Sequence, residues 1–208
     1  MDDPKTEQQG RRGLNRRRFF SSVATGATEV AILTVPAEAA QPGAAQAGDG
    51  ELVKAVLNIN GENHALMVEP RWTLQYVLRE RLGFMENKQG CERGECGACT
   101  VLIDGVGRYA CLTLALEAEG AKITTLTGLM QGEELGPVQQ AFVAEDAFGC
   151  GYCTPGQVVS AESLLRTTAD PTLEQIREGM SGNLCRCGTY PHIFKAVHRA
   201  AELKKGGR

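Results

Sequence analysis

The chain has 208 residues, 42% hydrophobic and 5% aromatic, with a formal net charge of −3, which suits one or two modest globular domains. That charge balance argues against a general nucleic-acid or membrane-surface role, and no run of about 18 apolar residues is present to make a transmembrane helix. Cysteine usage is the unusual feature: none of the eight occurs in the first 90 residues, and they fall into two groups of four.

Residues 1–48 read as an address rather than a fold. Asn15-Arg16-Arg17-Arg18-Phe19-Phe20 sets an arginine pair, Arg16 and Arg17, just ahead of two phenylalanines. A weakly apolar stretch follows from Val23 to Val35, interrupted by Thr25, Thr28 and Glu29. Ala37-Glu38-Ala39 and Ala45-Gln46-Ala47 then offer A-x-A cleavage sites. A basic start, an apolar middle and a small-residue end predict a signal peptide. The paired arginines and mild hydrophobicity resemble a twin-arginine signal, so the expected destination is the periplasm. A basic disordered tail is the plain alternative, but it needs neither the Phe pair nor the A-x-A sites.

Two small domains are expected after the leader, over residues 49–128 and 129–208. Leu52 to Ile59 alternates as a strand, Asn60-Gly61 turns it, and His64 to Val68 is its hairpin partner. Thr73 caps a helix carrying Leu74, Val77, Leu78 and Leu82 on one face, and Gly83 ends it. Thr100 to Ile103 is a short strand turned by Asp104-Gly105, and Ala121 to Leu126 is the last strand. A mixed sheet crossed by one helix fits residues 52–126. Helices follow. Glu134 to Ala147 carries Leu135, Val138, Phe142 and Val143 at helical spacing. Thr154-Pro155 opens a second helix, with Thr as cap and Pro at its first position. A third opens at Pro171-Thr172 and runs to about Met180. A fourth follows Thr189-Tyr190-Pro191 with Ile193, Val197, Ala200 and Leu203 on one face. The fold class is therefore α+β. Domains this small often need staples, and the cysteines are the candidates.

The first group is Cys91-x4-Cys96-x2-Cys99, then 11 residues, then Cys111. The leading spacing is that of plant-type [2Fe–2S] ferredoxins. Gly90, Gly94 and Gly97 with Ala98 let the backbone wrap closely around an anionic cluster. Arg93 either offsets cluster charge or is a solvated loop cation; the sequence leaves both open. The second group is Cys150-x2-Cys153, then 31 residues, then Cys185-x-Cys187. Cys153 and Cys187 each lie just before a helix start, where exposed N–H groups and the positive dipole end favour an anionic cluster. Two helices pointing their N-termini at one cluster are expected.

Disulfides and zinc are the rival readings. An exported chain with eight cysteines invites a disulfide framework. However, Cys185 and Cys187 make a poor pair with each other, and the twin-arginine route carries proteins already folded around cofactors. Structural zinc uses C-x2-C pairs, but the x4-then-x2 spacing and glycine loop of the first group are not zinc-ribbon features.

Four separated motifs resemble one family in order and detail. They are Gly90-Cys91-Glu92-x-Gly94-Glu95-Cys96-Gly97-Ala98-Cys99-Thr100-Val101, Ala110-Cys111, Cys150-Gly151-Tyr152-Cys153-Thr154-Pro155-Gly156 and Gly182-Asn183-Leu184-Cys185-Arg186-Cys187-Gly188-Thr189-Tyr190. They resemble the iron–sulfur small subunits of the xanthine dehydrogenase and aldehyde oxidoreductase family, over about residues 52–204; with the signal, the likeness is greatest to its periplasmic aldehyde oxidoreductase branch. The resemblance implies a β-grasp ferredoxin-type domain holding a distal [2Fe–2S] cluster on Cys91, Cys96, Cys99 and Cys111. It implies a four-helix domain holding a proximal cluster on Cys150, Cys153, Cys185 and Cys187, with Cys187 nearest the pterin. It further implies a large molybdopterin-binding subunit that oxidises the substrate, an aldehyde or an N-heterocycle, and an FAD-binding subunit that receives the electrons. This chain itself would carry no catalytic residue and no substrate site. One departure stands out. Where the family commonly has Gln before Cys-Gly-Tyr-Cys, helping to hold the pterin, this chain has Gly149; Gln157 downstream is not its replacement.

The remaining residues have plain readings. His64, His192 and His198 are too scattered to form a site. Trp72 is expected to pack against the strand pair, and Lys204 and Lys205 to face solvent at a helix C-terminus. No Gly-rich dinucleotide fingerprint is present, so neither flavin nor NAD is expected on this chain. A free-standing two-cluster electron carrier is the alternative function, although a soluble ferredoxin needs no helical second domain.

Overall fold

The structure, a computed structural model, describes residues 51–206, all within one compact unit, Asp49–Arg208. The signal reading of Arg16 and Arg17 lies outside the described residues.

A hairpin starts the fold, β1 (Val53–Ile59) and β2 (Glu62–Val68), turned by Asn60 and Gly61 at positive φ. The sheet order is β2-β1-β5-β3-β4, with β3 at Thr100–Ile103, β4 at Val106–Tyr109 and β5 at Lys122–Thr124. β1 and β5 run parallel, and every other pairing is antiparallel. Inward residues Ala55, Leu57 and Ile59 of β1 alternate with more exposed neighbours, so one face carries the core. The expected helix crosses that face. α1 (Leu74–Tyr76) starts where the Thr73 side chain accepts the Tyr76 N–H, then widens into a π-helical turn (Val77–Arg81). Leu74, Val77 and Leu78 are fully buried against the sheet. This is the mixed, helix-crossed sheet of a β-grasp domain.

Sequence periodicity misses β4. Val106-Gly107-Arg108-Tyr109 has too little apolar alternation to read as a strand; pairing with β3 makes it one. Trp72 is only half-buried at the rim of the sheet core, with Tyr76 at 4.9 Å and the Arg81 guanidinium at 5.0 Å from its ring.

The helical half comprises α2 (Pro137–Ala144), α3 (Thr154–Thr167), α4 (Leu173–Met180) and α5 (Tyr190–Gly206). Three details differ from expectation. α2 is shorter than 134–147 because Gly136 and Pro137 open it and Asp146 at φ +47 closes it; Val138, Ala141 and Phe142 are its buried face, while Leu135 and Val143 are exposed. Cys153, not Thr154, is the N-cap of α3. Leu203 lies outside the buried stripe of Ile193, Ala196, Val197 and Ala200 on α5. α4 begins as predicted, with Thr172 and Gln175 forming a reciprocal capping box.

Lys204 does not face solvent. Its Nζ sits 2.7 Å from the carboxylate of Glu162, which also accepts from Arg166 Nε at 2.9 Å. Glu162 is nearly buried on α3, so two cations neutralise a carboxylate that would be costly unpaired. Lys205 does reach outward, to Asp170 at 2.7 Å. Among the described residues no helix is long and apolar enough to cross a membrane.

Candidate metal centres

None of the eight cysteines is in a disulfide, and the sulfurs shift one another's titration within the two sets their spacing suggests. In the first set, burial and the nearby Cys111 and Cys96 sulfurs push the Cys99 thiol up to about 12. Cys91 is drawn down to about 7, chiefly by a hydrogen bond from the Arg93 backbone N–H. Arg93 thus acts through its main chain, and the residue is otherwise exposed. The Glu95 N–H also approaches the Cys91 sulfur, at 3.2 Å.

Glycine makes this wrapping possible. A Cβ on Gly90 would lie 2.6 Å from the Cys96 sulfur, and one on Gly94, at φ +76, would strike Leu112. Cys99 and Cys111 belong to the core of the sheet domain, whereas Cys91 and Cys96 lie nearer the surface.

The second set repeats this inner and outer division. Cys185 belongs to the helical core with Cys153 packed against it, whereas Cys150 and Cys187 are exposed. Burial pushes Cys153 up to about 12, reinforced by Cys185. Burial also raises Cys185, but hydrogen bonds from the Thr189 hydroxyl and N–H outweigh it and bring that thiol down to about 7. Cys150 is lowered by the Tyr152 N–H and by Cys187, and its own N–H approaches the Cys187 sulfur at 3.4 Å. Tyr190, at the start of α5, accepts the Cys185 N–H on its hydroxyl at 2.8 Å. Both cysteine pairs therefore stand at helix N-termini, α3 and α5.

Within each set the sulfurs influence one another: Cys96 acts on Cys91, Cys111 and Cys96 on Cys99, Cys187 and Cys185 on Cys150, and Cys185 and Cys150 on Cys153. A structural zinc asks for four ligands on one ion. A sulfide-bridged two-iron cluster asks for two thiolates on each iron, four in all. The donor sets, the glycine cradle and the inward N–H groups fit a [2Fe–2S] cluster at each place.

Gly149 marks a steric limit. A Cβ there would sit 2.7 Å from Cys187 Cβ and 3.0 Å from its sulfur, so a side chain at this position would displace Cys187.

The two centres meet back to back. The Leu184 N–H donates to the Cys96 carbonyl at 2.9 Å, so a residue bonded to Cys185 touches a cysteine of the other set. Tyr109, on β4, donates its hydroxyl to the Gly182 carbonyl at 3.0 Å. Sequence reasoning missed both contacts. Their only signal is glycine at 97 and 156, where another backbone approaches too closely for a Cβ, and at 182, where the Tyr109 hydroxyl does.

This architecture defines a two-domain [2Fe–2S] electron-transfer protein. Known proteins agree: residues 57–124 match the 2Fe-2S iron-sulfur cluster binding domain family and residues 125–198 the [2Fe-2S] binding domain family. The aldehyde oxidoreductase iron-sulfur-binding subunit PaoA of Escherichia coli K12 is 42% identical, over 92% of this chain and 90% of its own. A nicotinate dehydrogenase subunit from Pseudomonas putida is 46% identical, over 72% of this chain and 95% of its own. Among solved structures, quinoline 2-oxidoreductase from Pseudomonas putida 86 superposes with a TM-score of 0.71 at 44% identity, covering 74% of this chain and 98% of that one. The chain belongs to the family of two-cluster iron–sulfur subunits that serve aldehyde oxidoreductases, xanthine dehydrogenases and nicotinate dehydrogenases. It carries two [2Fe–2S] clusters and is an electron-transfer subunit of an oxidoreductase.

Proposed function

We propose that this chain passes electrons from a molybdopterin-binding subunit, where substrate is oxidised, toward a flavin subunit, and that it works in the periplasm after twin-arginine export. Cys91, Cys96, Cys99 and Cys111 hold one cluster, and Cys150, Cys153, Cys185 and Cys187 the other. The observation that carries this reading is the Leu184-to-Cys96 hydrogen bond, which joins the two cysteine sets through main chain. Each cluster, when bound, accepts and releases one electron. The protein's own part is to hold thiolates, aim N–H groups at sulfur and fix the spacing of the two loops. The helical centre suits entry of electrons, because Cys150 and Cys187 are exposed there and Phe148, Tyr152 and Leu184 present apolar surface nearby. Such a patch is what a partner protein covers.

The substrate favoured is an aldehyde. An alignment over 92% of the chain, as with the aldehyde oxidoreductase protein, reaches into the first 48 residues. The 72% alignment with the nicotinate dehydrogenase protein needs only the two cluster domains.

Purification of the tagged chain from its own host is expected to bring down a large molybdenum-containing protein, with about four irons per small subunit. Recovery alone, as a stable two-cluster protein, would overturn the subunit reading. For export, Arg16→Lys with Arg17→Lys is expected to leave the precursor in the cytoplasm. Periplasmic fractions holding the variant at wild-type level would refute the twin-arginine assignment and leave the cluster assignment standing.

A further inference from the structure

The seam between the two cysteine loops contains a side chain that metal ligation does not require. Asn183, 3% exposed, reaches from the loop after α4 into the first cysteine loop. Its Nδ2 donates to the Gly97 carbonyl at 2.9 Å and to Thr100 Oγ1 at 3.2 Å. The Thr100 hydroxyl donates to the same carbonyl at 2.6 Å and the Thr100 N–H at 3.1 Å, so three donors hold Gly97 in place, of which Asn183 alone comes from the other cysteine loop. The Asn183 carbonyl is itself held by Gln157 Nε2 from α3 at 2.8 Å. The other end of that glutamine, Oε1, is buried without a partner. An apolar residue would fill the place at less cost, so the bond to Asn183 is what this side chain contributes. The next peptide, Leu184 N–H, holds the Cys96 carbonyl. Side chain and following peptide thus grip the carbonyls of two adjacent residues, Cys96 and Gly97. The grip is tight, since a Cβ on Gly97 would lie 2.5 Å from the Gly182 carbonyl and 2.7 Å from the Asn183 amide.

We propose that Asn183 is the positioning residue that sets the spacing of the two cysteine loops, and through it the electronic coupling between the clusters held there. The proposal rests on the reading that each four-cysteine set holds a [2Fe–2S] cluster. When an electron crosses, one cluster is oxidised by one electron and the other reduced by one; no proton moves and no bond is made or broken. The rate then depends on driving force and on coupling across the gap, and coupling falls steeply as the gap widens. Asn183 touches no cysteine sulfur. It acts by keeping the Cys96 carbonyl within reach of Leu184.

The test uses the assembled complex carrying Asn183→Ala, Asn183→Asp or Thr100→Val. All eight cysteines remain, so iron content and the midpoint potential of each cluster are expected to match wild type. Deuterium exchange of the segment around Leu184 is expected to quicken about tenfold in Asn183→Ala, as a local hydrogen bond is loosened. With both clusters reduced, the spin–spin splitting between their paramagnetic signals is expected to shrink. Asn183→Asp is expected to act more strongly, because a carboxylate would face the Gly97 carbonyl. Thr100→Val keeps the shape and Asn183's bond to Gly97, so an intermediate change is expected. Exchange and splitting both unchanged in the two Asn183 variants, with full iron, would overturn the proposal. If those variants lose iron, Thr100→Val decides: a reduced splitting supports the proposal and an unchanged one overturns it. Failure of the underlying cluster reading is separately visible, as a wild-type complex whose small subunit lacks two distinct cluster signals.

Discussion

Cys187→Ser and Cys96→Ser, compared in the assembled complex, are each expected to lower the iron of this subunit from about four to about two per chain while stopping electron flow at different points. The two losses are separable because the cysteine sets are anchored in different cores. Cys99 and Cys111 are part of the sheet-domain core, and Cys185 is part of the helical core. Serine offers a harder oxygen ligand than thiolate, so the altered site is expected to lose its cluster. In Cys187→Ser, substrate still reaches the molybdenum subunit, yet the ferredoxin-type cluster is expected to stay oxidised. In Cys96→Ser, the helical-domain cluster is expected to reduce normally while delivery to the final acceptor fails. Turnover in both is expected to fall beyond the ~10–100-fold that losing an outer partner of a metal ligand costs. Rapid-freeze spectroscopy after mixing with substrate separates them. A ferredoxin-type cluster that reduces at the normal rate in Cys187→Ser, with the helical-domain cluster shown to be absent, would reverse the proposed order.

Gly156→Ala is expected to destabilise the seam between the two cysteine loops by adding a single methyl group. A Cβ at this position, in the first turn of α3, would strike the Gly97 carbonyl oxygen and lie 3.0 Å from that of Ala98. Both atoms are main chain between Cys96 and Cys99, so no flexible side-chain end can move aside. The first cysteine loop and the helix must separate, and Asn183 loses its fit to Gly97. Overpacking of this kind costs about 1–3 kcal/mol, and in a domain pair of this size a fall in Tm of roughly 3–10 °C follows. Gly206→Ala, where an added Cβ meets nothing within 4 Å, is the matched control and is expected to leave Tm unchanged. Calorimetry of the holoprotein checks both; equal Tm in the two variants would contradict the close approach at the seam.

Much of the fold was legible from short-range pattern. The alternation of Ala55, Leu57 and Ile59, the Asn60-Gly61 turn, the Thr73 cap with its Leu74-Val77-Leu78 face, and the helix start at Thr172 all rest on residues close together in the chain. Element ends were less legible. α2 stops at Ala144 because Asp146 takes positive φ, and β4 exists because β3 lies beside it. The solvent-facing reading of Lys204 failed for a similar reason, since its partner Glu162 is on another helix.

By itself the sequence determined that eight cysteines form two sets, that the first set has ferredoxin spacing, and that each half of the second set precedes a helix. Ligand type and loop length are local properties, and they suffice to name the chemistry. Only the tertiary structure decided which of the sulfurs face solvent and that the two sets meet through Leu184 and Cys96. It also decided that Asn183 reaches Gly97, 86 residues away along the chain. Such contacts follow from the packing of α3 against the first cysteine loop, where glycine lets two backbones touch, and no periodicity in either segment records which distant backbone it will meet.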